Sequence, residues 1–118
     1  MQSTSLKLAR KFLGEEIEVT MDRPLGSVHP KHGFVYEANY GFVEGVQAPD
    51  GENLDAYYLG VSESLQKAKG VCIAIIHRLK DDDDKLIVVP NDTELTDAEI
   101  ASQTHFQERW FESEIIRE

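Results

Sequence analysis

The chain has 118 residues, 41% of them hydrophobic and 29% charged, with a formal net charge of −10. That length suits a single domain over residues 1–118 with one modest core. The acid excess repels a phosphate backbone and argues against general nucleic-acid binding, no stretch approaches the ~18 apolar residues of a membrane span, and one cysteine excludes a disulfide scaffold or a cysteine-rich zinc site. The same charge suits a protein that holds an anionic ligand through metal ions, and equally an ordinary acidic protein. MQSTSLKLARKFLG lacks the apolar core of a signal peptide, so the expected location is the cytoplasm.

In chain order, residues 4–13 suggest a short helix. In EIEVTMD, Ile17, Val19 and Met21 alternate with polar residues, a strand pattern of period two. DRPLGSVHPKHG, residues 22–33, reads as loop. FVYEANYGFVEGV, residues 34–46, reads as strand, with Gly41 marking a bulge or turn. APDGEN, residues 48–53, is a turn, because proline sets φ and Asp-Gly permits a tight reversal. LDAYYLGV (54–61), GVCIAIIHRL (70–79) and KLIVVP (85–90) are further strands. The second of them looks buried on both faces, with Cys72 as a small core residue. Thr96 and Glu99 form a capping box before AEIASQTHFQERWFESEII. Ile100, Phe106, Trp110 and Phe111 fall near helical spacing there. The expected architecture is mainly β (α+β): a small antiparallel barrel or curled sheet, capped by a C-terminal amphipathic helix.

The acids gather at strand ends, where barrels host sites. Asp22 closes the first strand, Asp50, Glu52 and Asp55 lie in DGENLD, and Asp81 to Asp84 precede KLIVVP. Carboxylate oxygens suit a hard cation such as Mg²⁺, held by a few acids and substrate phosphates. Either acidic segment alone also fits a solvated turn. Two exposed aspartates ~6 Å apart repel by only about 0.7 kcal/mol in water, so an exposed run costs little. DGENLD is not an EF-hand loop, since its sixth position is Asp55 and its twelfth Val61. DDDDK matches a familiar engineered cleavage sequence, but it sits mid-chain between two strands, where a tag is not placed. His29 and His32 flank a proline turn and form a weak candidate ligand pair. Among the bases Arg23, Lys31, Arg78, Lys85 and Arg109, Lys85 stands out because it adjoins the acid run and opens a buried strand.

Taken together these segments resemble the family I soluble inorganic pyrophosphatases. The acidic signature D-x-D-P-x-D stands as Asp50-Gly51-Glu52-Asn53-Leu54-Asp55, and the aromatic motif as Tyr36-Glu37-Ala38-Asn39-Tyr40-Gly41. The D-x-K-L-x-x-V-P segment spans Asp83 to Pro90, and HFQERWF (105–111) is similar to the family's HFFxxYK. The resemblance covers residues 15–112, and it is the order and spacing of the motifs that make it specific. It implies an OB-like five-stranded barrel with a C-terminal helix that hydrolyses pyrophosphate with several Mg²⁺ ions, Mn²⁺ being a substitute. By position, Asp50, Asp55 and Asp83 would bind activating metals. Glu52 would orient or deprotonate the attacking water. Asp22 and one of Asp81 or Asp82 would bind metals arriving with substrate. Tyr40, Tyr36 and Lys85 would contact the metal site or phosphate oxygens, with Lys31, Arg23 and Arg109 as further phosphate contacts. Asp84 is expected to be solvated. A homo-oligomer is also implied, the last helix being a candidate interface.

The departures lie mostly in the phosphate-binding half. Glu52 replaces an aspartate and Asn53 a proline, the hairpin before the tyrosine motif is reduced to GSVHPKHGF, and Trp110-Phe111 stands where the family has Tyr-Lys. Two other functions therefore stand beside pyrophosphate hydrolysis: a non-hydrolytic metal- or phosphate-binding relative, and a hydrolase of another phosphoanhydride.

Overall fold

The computed structural model describes residues 4–49, 51–80 and 83–118. Its elements are α1 (Thr4–Arg10), β1 (Glu16–Arg23), β2 (Asn39–Gln47), β3 (Asn53–Tyr58), β4 (Lys67–Arg78), β5 (Lys85–Val89), α2 (Asp97–Glu108) and β6 (Ser113–Ile116). Five strands close a barrel in the order β1-β2-β3-β5-β4, with β1 returning to pair with β4. The fold is thus mainly β and OB-like. It is not wholly antiparallel: β3 and β5 run parallel, with Ala56 opposite Leu86 and Tyr58 opposite Val88. The chain reaches β5 only after the β4 turn, which restores the direction of β3.

Most expected boundaries shift by a few residues, and two change the architecture. The strand expected over residues 34–46 begins at Asn39. Residues 34–36 instead fold back on the expected loop. Val28 and Val35 form a single bridge, and the Tyr36 amide donates to the Ser27 carbonyl at 2.8 Å. Asn39 pins the base of this arm, its Oδ1 accepting from the Leu25 and Leu65 amides at 3.0 Å each. The last helix stops at Glu108 and is not the C-terminal element. β4 outruns its partner β1, which pairs with it only from Lys67 to Val71. The open edge beyond is a template for another strand, and β6 takes it, with Ile75 opposite Ile116 and Arg78 opposite Ser113. The capping box forms as expected: Thr96 Oγ1 accepts from the Glu99 amide at 3.1 Å, and Glu99 Oε1 from the Thr96 amide at 2.9 Å.

Period-two alternation divides the apolar residues between two cores. Val19, Val43, Leu54, Cys72, Leu86 and Val88, drawn from all five strands, fill the barrel interior, and Leu6 and Ala9 of α1 join them. Tyr57, Ala74, Ile76, Ile87 and Val89 lie on the outer face beneath Ile100 and Phe106 of α2. This is why every residue of β5 is buried. The Cys72 thiol is an inert core group, pushed up to about 11 chiefly by burial. No helix among the described residues is long and apolar enough to cross a membrane.

Of the glycines, Gly41 leaves the least room for a side chain. A Cβ there would run into the Thr20 carbonyl and come within 2.7 Å of Met21 Cα, both backbone atoms that cannot turn aside. Gly41→Ala is expected to cost about 1–3 kcal/mol through overpacking, measured as a lower urea midpoint with an unchanged m-value.

Candidate active site

The outer face under α2 carries more than apolar residues. Where β3 alternates, Leu54 and Ala56 point inward and Asp55 and Tyr57 outward. On β5, Lys85 shares the outer side with Ile87, to which Tyr57 is paired across the parallel ladder. On β4, a bulge between Cys72 and Ala74 switches the alternation. Ala74, Ile76 and Arg78 thereby join the outer face. These polar strand ends, the arm and the segment after α2 enclose a cleft of about 750 Å³.

Its floor is a chain of charges. Lys85 Nζ, almost fully buried, donates to Asp55 Oδ2 at 2.6 Å and to Asp83 Oδ1 at 2.9 Å. Asp83 Oδ2 also accepts from Arg78 at 3.3 Å. Arg78 in turn forks onto Glu108, at 3.0 and 2.9 Å, with both side chains buried. Glu108 Oε2 takes the Tyr57 hydroxyl at 2.6 Å, and the Gln107 amide donates to that same hydroxyl at 2.6 Å. Gln107 Oε1 accepts the Tyr36 hydroxyl at 2.9 Å. This network orders the floor from the barrel to the helix.

Titration follows burial. Burial raises the Asp55 carboxyl, and Lys85 only partly offsets it. Tyr40 is held well above its ordinary value, first by burial and then by the charges of Asp55 and Asp83. It is therefore a proton donor near neutral pH and not a base. Burial opposes the Arg78 charge, but Glu108 outweighs it and the group is raised. His29 is lowered by burial and by the neighbouring charges of His32, Arg23 and Lys31.

Of the residues singled out from sequence, Asp22, Arg23, Tyr36, Tyr40, Asp55, Asp83 and Lys85 line the cleft, and so do His29 and His32. Tyr36 spends its hydroxyl proton on Gln107. Glu52 is exposed in the turn before β3 and Lys31 is exposed on the arm; neither lines the cleft. Arg109 caps α2, its guanidinium 4.7 Å over the Trp110 ring, and it borders a separate pocket. Asp50, Asp81 and Asp82 lie outside the described residues. Asp84 is not solvated. It is buried, with Oδ1 accepting from the Arg78 amide at 3.1 Å and lying 2.9 Å from His77 Nδ1, while Oδ2 has no partner among the described residues. Asp84 is tied to α1, where Ser5 Oγ accepts from its amide at 2.9 Å, and this holds the residue inside. Sequence reasoning left Arg78, Gln107 and Glu108 without roles. Only the β4 bulge and the docking of α2 bring them to the floor.

The donor set suits a hard cation. Asp55 and Asp83 already converge on one positive centre, the Lys85 ammonium, and offer only oxygen ligands. Among the described residues no three acids or histidines form a ready cage.

The solved structures that this chain resembles share the barrel. An inorganic pyrophosphatase from Helicobacter pylori superposes with TM-score 0.66 at 16% identity, over 87% of this chain and 85% of that one. The enzyme from Ehrlichia chaffeensis gives 0.62 at 18%, over 86% and 85%. That from Coxiella burnetii gives 0.59 at 20%, over 83% and 78%. No curated protein matches the chain. The family model described as inorganic pyrophosphatase matches residues 14–115, nearly the whole chain and all five barrel strands. By that match the chain belongs to the inorganic pyrophosphatase family and is an inorganic diphosphatase.

Proposed function

We propose that this protein hydrolyses pyrophosphate to two orthophosphates in an Mg²⁺-dependent reaction, with Mn²⁺ as a substitute, in the cleft between the barrel and α2. The observation that carries this reading is the convergence of Asp55 and Asp83 on Lys85, beside a Tyr40 that keeps its proton. Asp55 and Asp83, with Asp50, would hold the activating metals. Asp22 and one of Asp81 or Asp82 would hold those that accompany substrate. Metals bound there would neutralise the phosphates and make the attacking water more acidic.

The chain's own groups do the rest. Lys85, which Asp55 and Asp83 share, would be free to donate to a phosphate oxygen if those carboxylates held metal. Tyr40 donates a hydrogen bond from the same side. Arg78 and Arg23, which also line the cleft, add positive charge where the transferred group gains negative charge. Phosphoryl transfer is mostly positioning and charge stabilisation, and a floor tied from β3 to α2 supplies the positioning. The role suggested for Glu52 has the least geometric support, since the side chain is exposed outside the cleft. Cytoplasmic location and homo-oligomeric assembly belong to the same proposal.

Phosphate release from pyrophosphate, with and without Mg²⁺, tests the reading. Turnover that requires the ion is expected, lost on chelation and restored by Mg²⁺ or Mn²⁺. Binding of pyrophosphate without release at millimolar Mg²⁺ would instead favour a non-hydrolytic relative.

A further inference from the structure

One wall of the cleft has no work to do on pyrophosphate. Trp110 and Phe111 remain 54% and 40% exposed, large for aromatic side chains, and both face the cleft. They are joined to an aromatic run that starts at the charged floor. Lys85 Nζ lies 5.6 Å over the Tyr40 ring. Tyr40 stacks on Tyr36 at 5.7 Å, Tyr36 meets Phe34 at 5.3 Å, and Phe34 meets Trp110 at 5.3 Å. On the other side Arg78, bonded to Asp83, stacks 3.7 Å over Phe111. The wall is therefore fixed at both ends and continuous with the anion-binding floor. Pyrophosphate has no apolar surface to place against it. A cleft of about 750 Å³ is also in the size range of sites for ligands far larger than pyrophosphate, roughly 300–1,000 Å³.

We propose that the cleft takes phosphoanhydrides bearing a flat aromatic group, with nucleoside diphosphates as the class. The diphosphate lies at Lys85 and Arg78, and the base lies on Trp110. The inference rests on the proposed function for its chemistry. Water oxygen bonds to the terminal phosphorus, and the bond from that phosphorus to the bridging oxygen breaks. The bridging oxygen leaves with its electron pair on the nucleoside monophosphate, orthophosphate is released, and one proton passes to solvent.

The test compares ADP with pyrophosphate on the full chain with Mg²⁺, by phosphate release and by calorimetric titration. Trp110 is the single tryptophan, so its emission also reports contact with the base. Release of phosphate from ADP and quenching on ADP addition are expected. Trp110→Ala should lower the ratio of kcat/KM for ADP to that for pyrophosphate about tenfold, the scale of one base stacked on an aromatic ring. Trp110→Phe should restore most of that ratio. Hydrolysis of pyrophosphate with no binding or cleavage of ADP overturns this inference and leaves the proposed function standing. Hydrolysis of neither, with ADP binding that still weakens tenfold in Trp110→Ala, overturns the function and keeps the aromatic subsite. A ratio unmoved by Trp110→Ala, with a change in oligomeric state instead, makes the wall a subunit contact and overturns the subsite.

Discussion

Asp55→Asn is expected to reduce pyrophosphate hydrolysis roughly a thousandfold while the protein stays folded. Loss of several kcal/mol of metal-supplied charge stabilisation corresponds to about three powers of ten in rate. Asparagine keeps the shape and one acceptor oxygen, and Lys85 keeps Asp83 at 2.9 Å, so the floor retains a counter-charge. Asp55 also predicts a pH signature in the metal-free protein. Its carboxyl lies above the ordinary 3.8 because burial raises it more than Lys85 lowers it. The folded state then holds this proton more tightly than the unfolded chain does. The resulting stability is fully present below pH 3.8 and is lost as pH rises through the raised folded value. The variant should therefore show a flatter denaturation midpoint than the wild type across the weakly acidic range. A full hydrolysis rate in Asp55→Asn would overturn its proposed role as a metal ligand.

Arg78→Met should destabilise the protein by about 3–5 kcal/mol, because it strands the Glu108 carboxylate with neither water nor a counter-ion. Both partners of this pair are only 7% exposed at the side chain. Adding Glu108→Gln removes the stranded charge and still accepts the Tyr57 hydroxyl, so the double variant should recover most of the lost stability. It should not recover activity, since Asp83 has lost the guanidinium that borders it. Urea midpoints and phosphate release on the same preparations separate the two effects. Equal stability of the single variant and the wild type would show that the pair is solvated in solution.

Part of this site is legible without coordinates. Asp55 and Lys85 sit at the starts of apolar runs that read as strands, and each strand has its polar end on the side that faces α2. The acidic clusters and the tyrosine motif were readable for the same reason: their neighbours in sequence are also their neighbours in the barrel. Asp84 shows the limit of that logic. It looks like any member of an acidic run, yet contacts with Ser5, His77 and the Arg78 amide, up to 79 positions away, bury it.

The sequence by itself determined the five barrel strands in outline, the capped start of α2, the family, and Asp22, Asp55 and Asp83 of the cleft, because those follow from local patterning and ordered motifs. The tertiary structure alone decided the rest. The bulge at Cys72/Ala74 put Arg78 on the outer face by shifting the strand's in-out register, which a continuous apolar run does not reveal. The free edge of β4 turned the tail of an expected helix into β6, since an unpaired ladder outweighs a modest helical preference. That change freed Trp110 and Phe111 from a helix face and set them along the cleft. Long-range pairing energy, absent from any local window, made both choices.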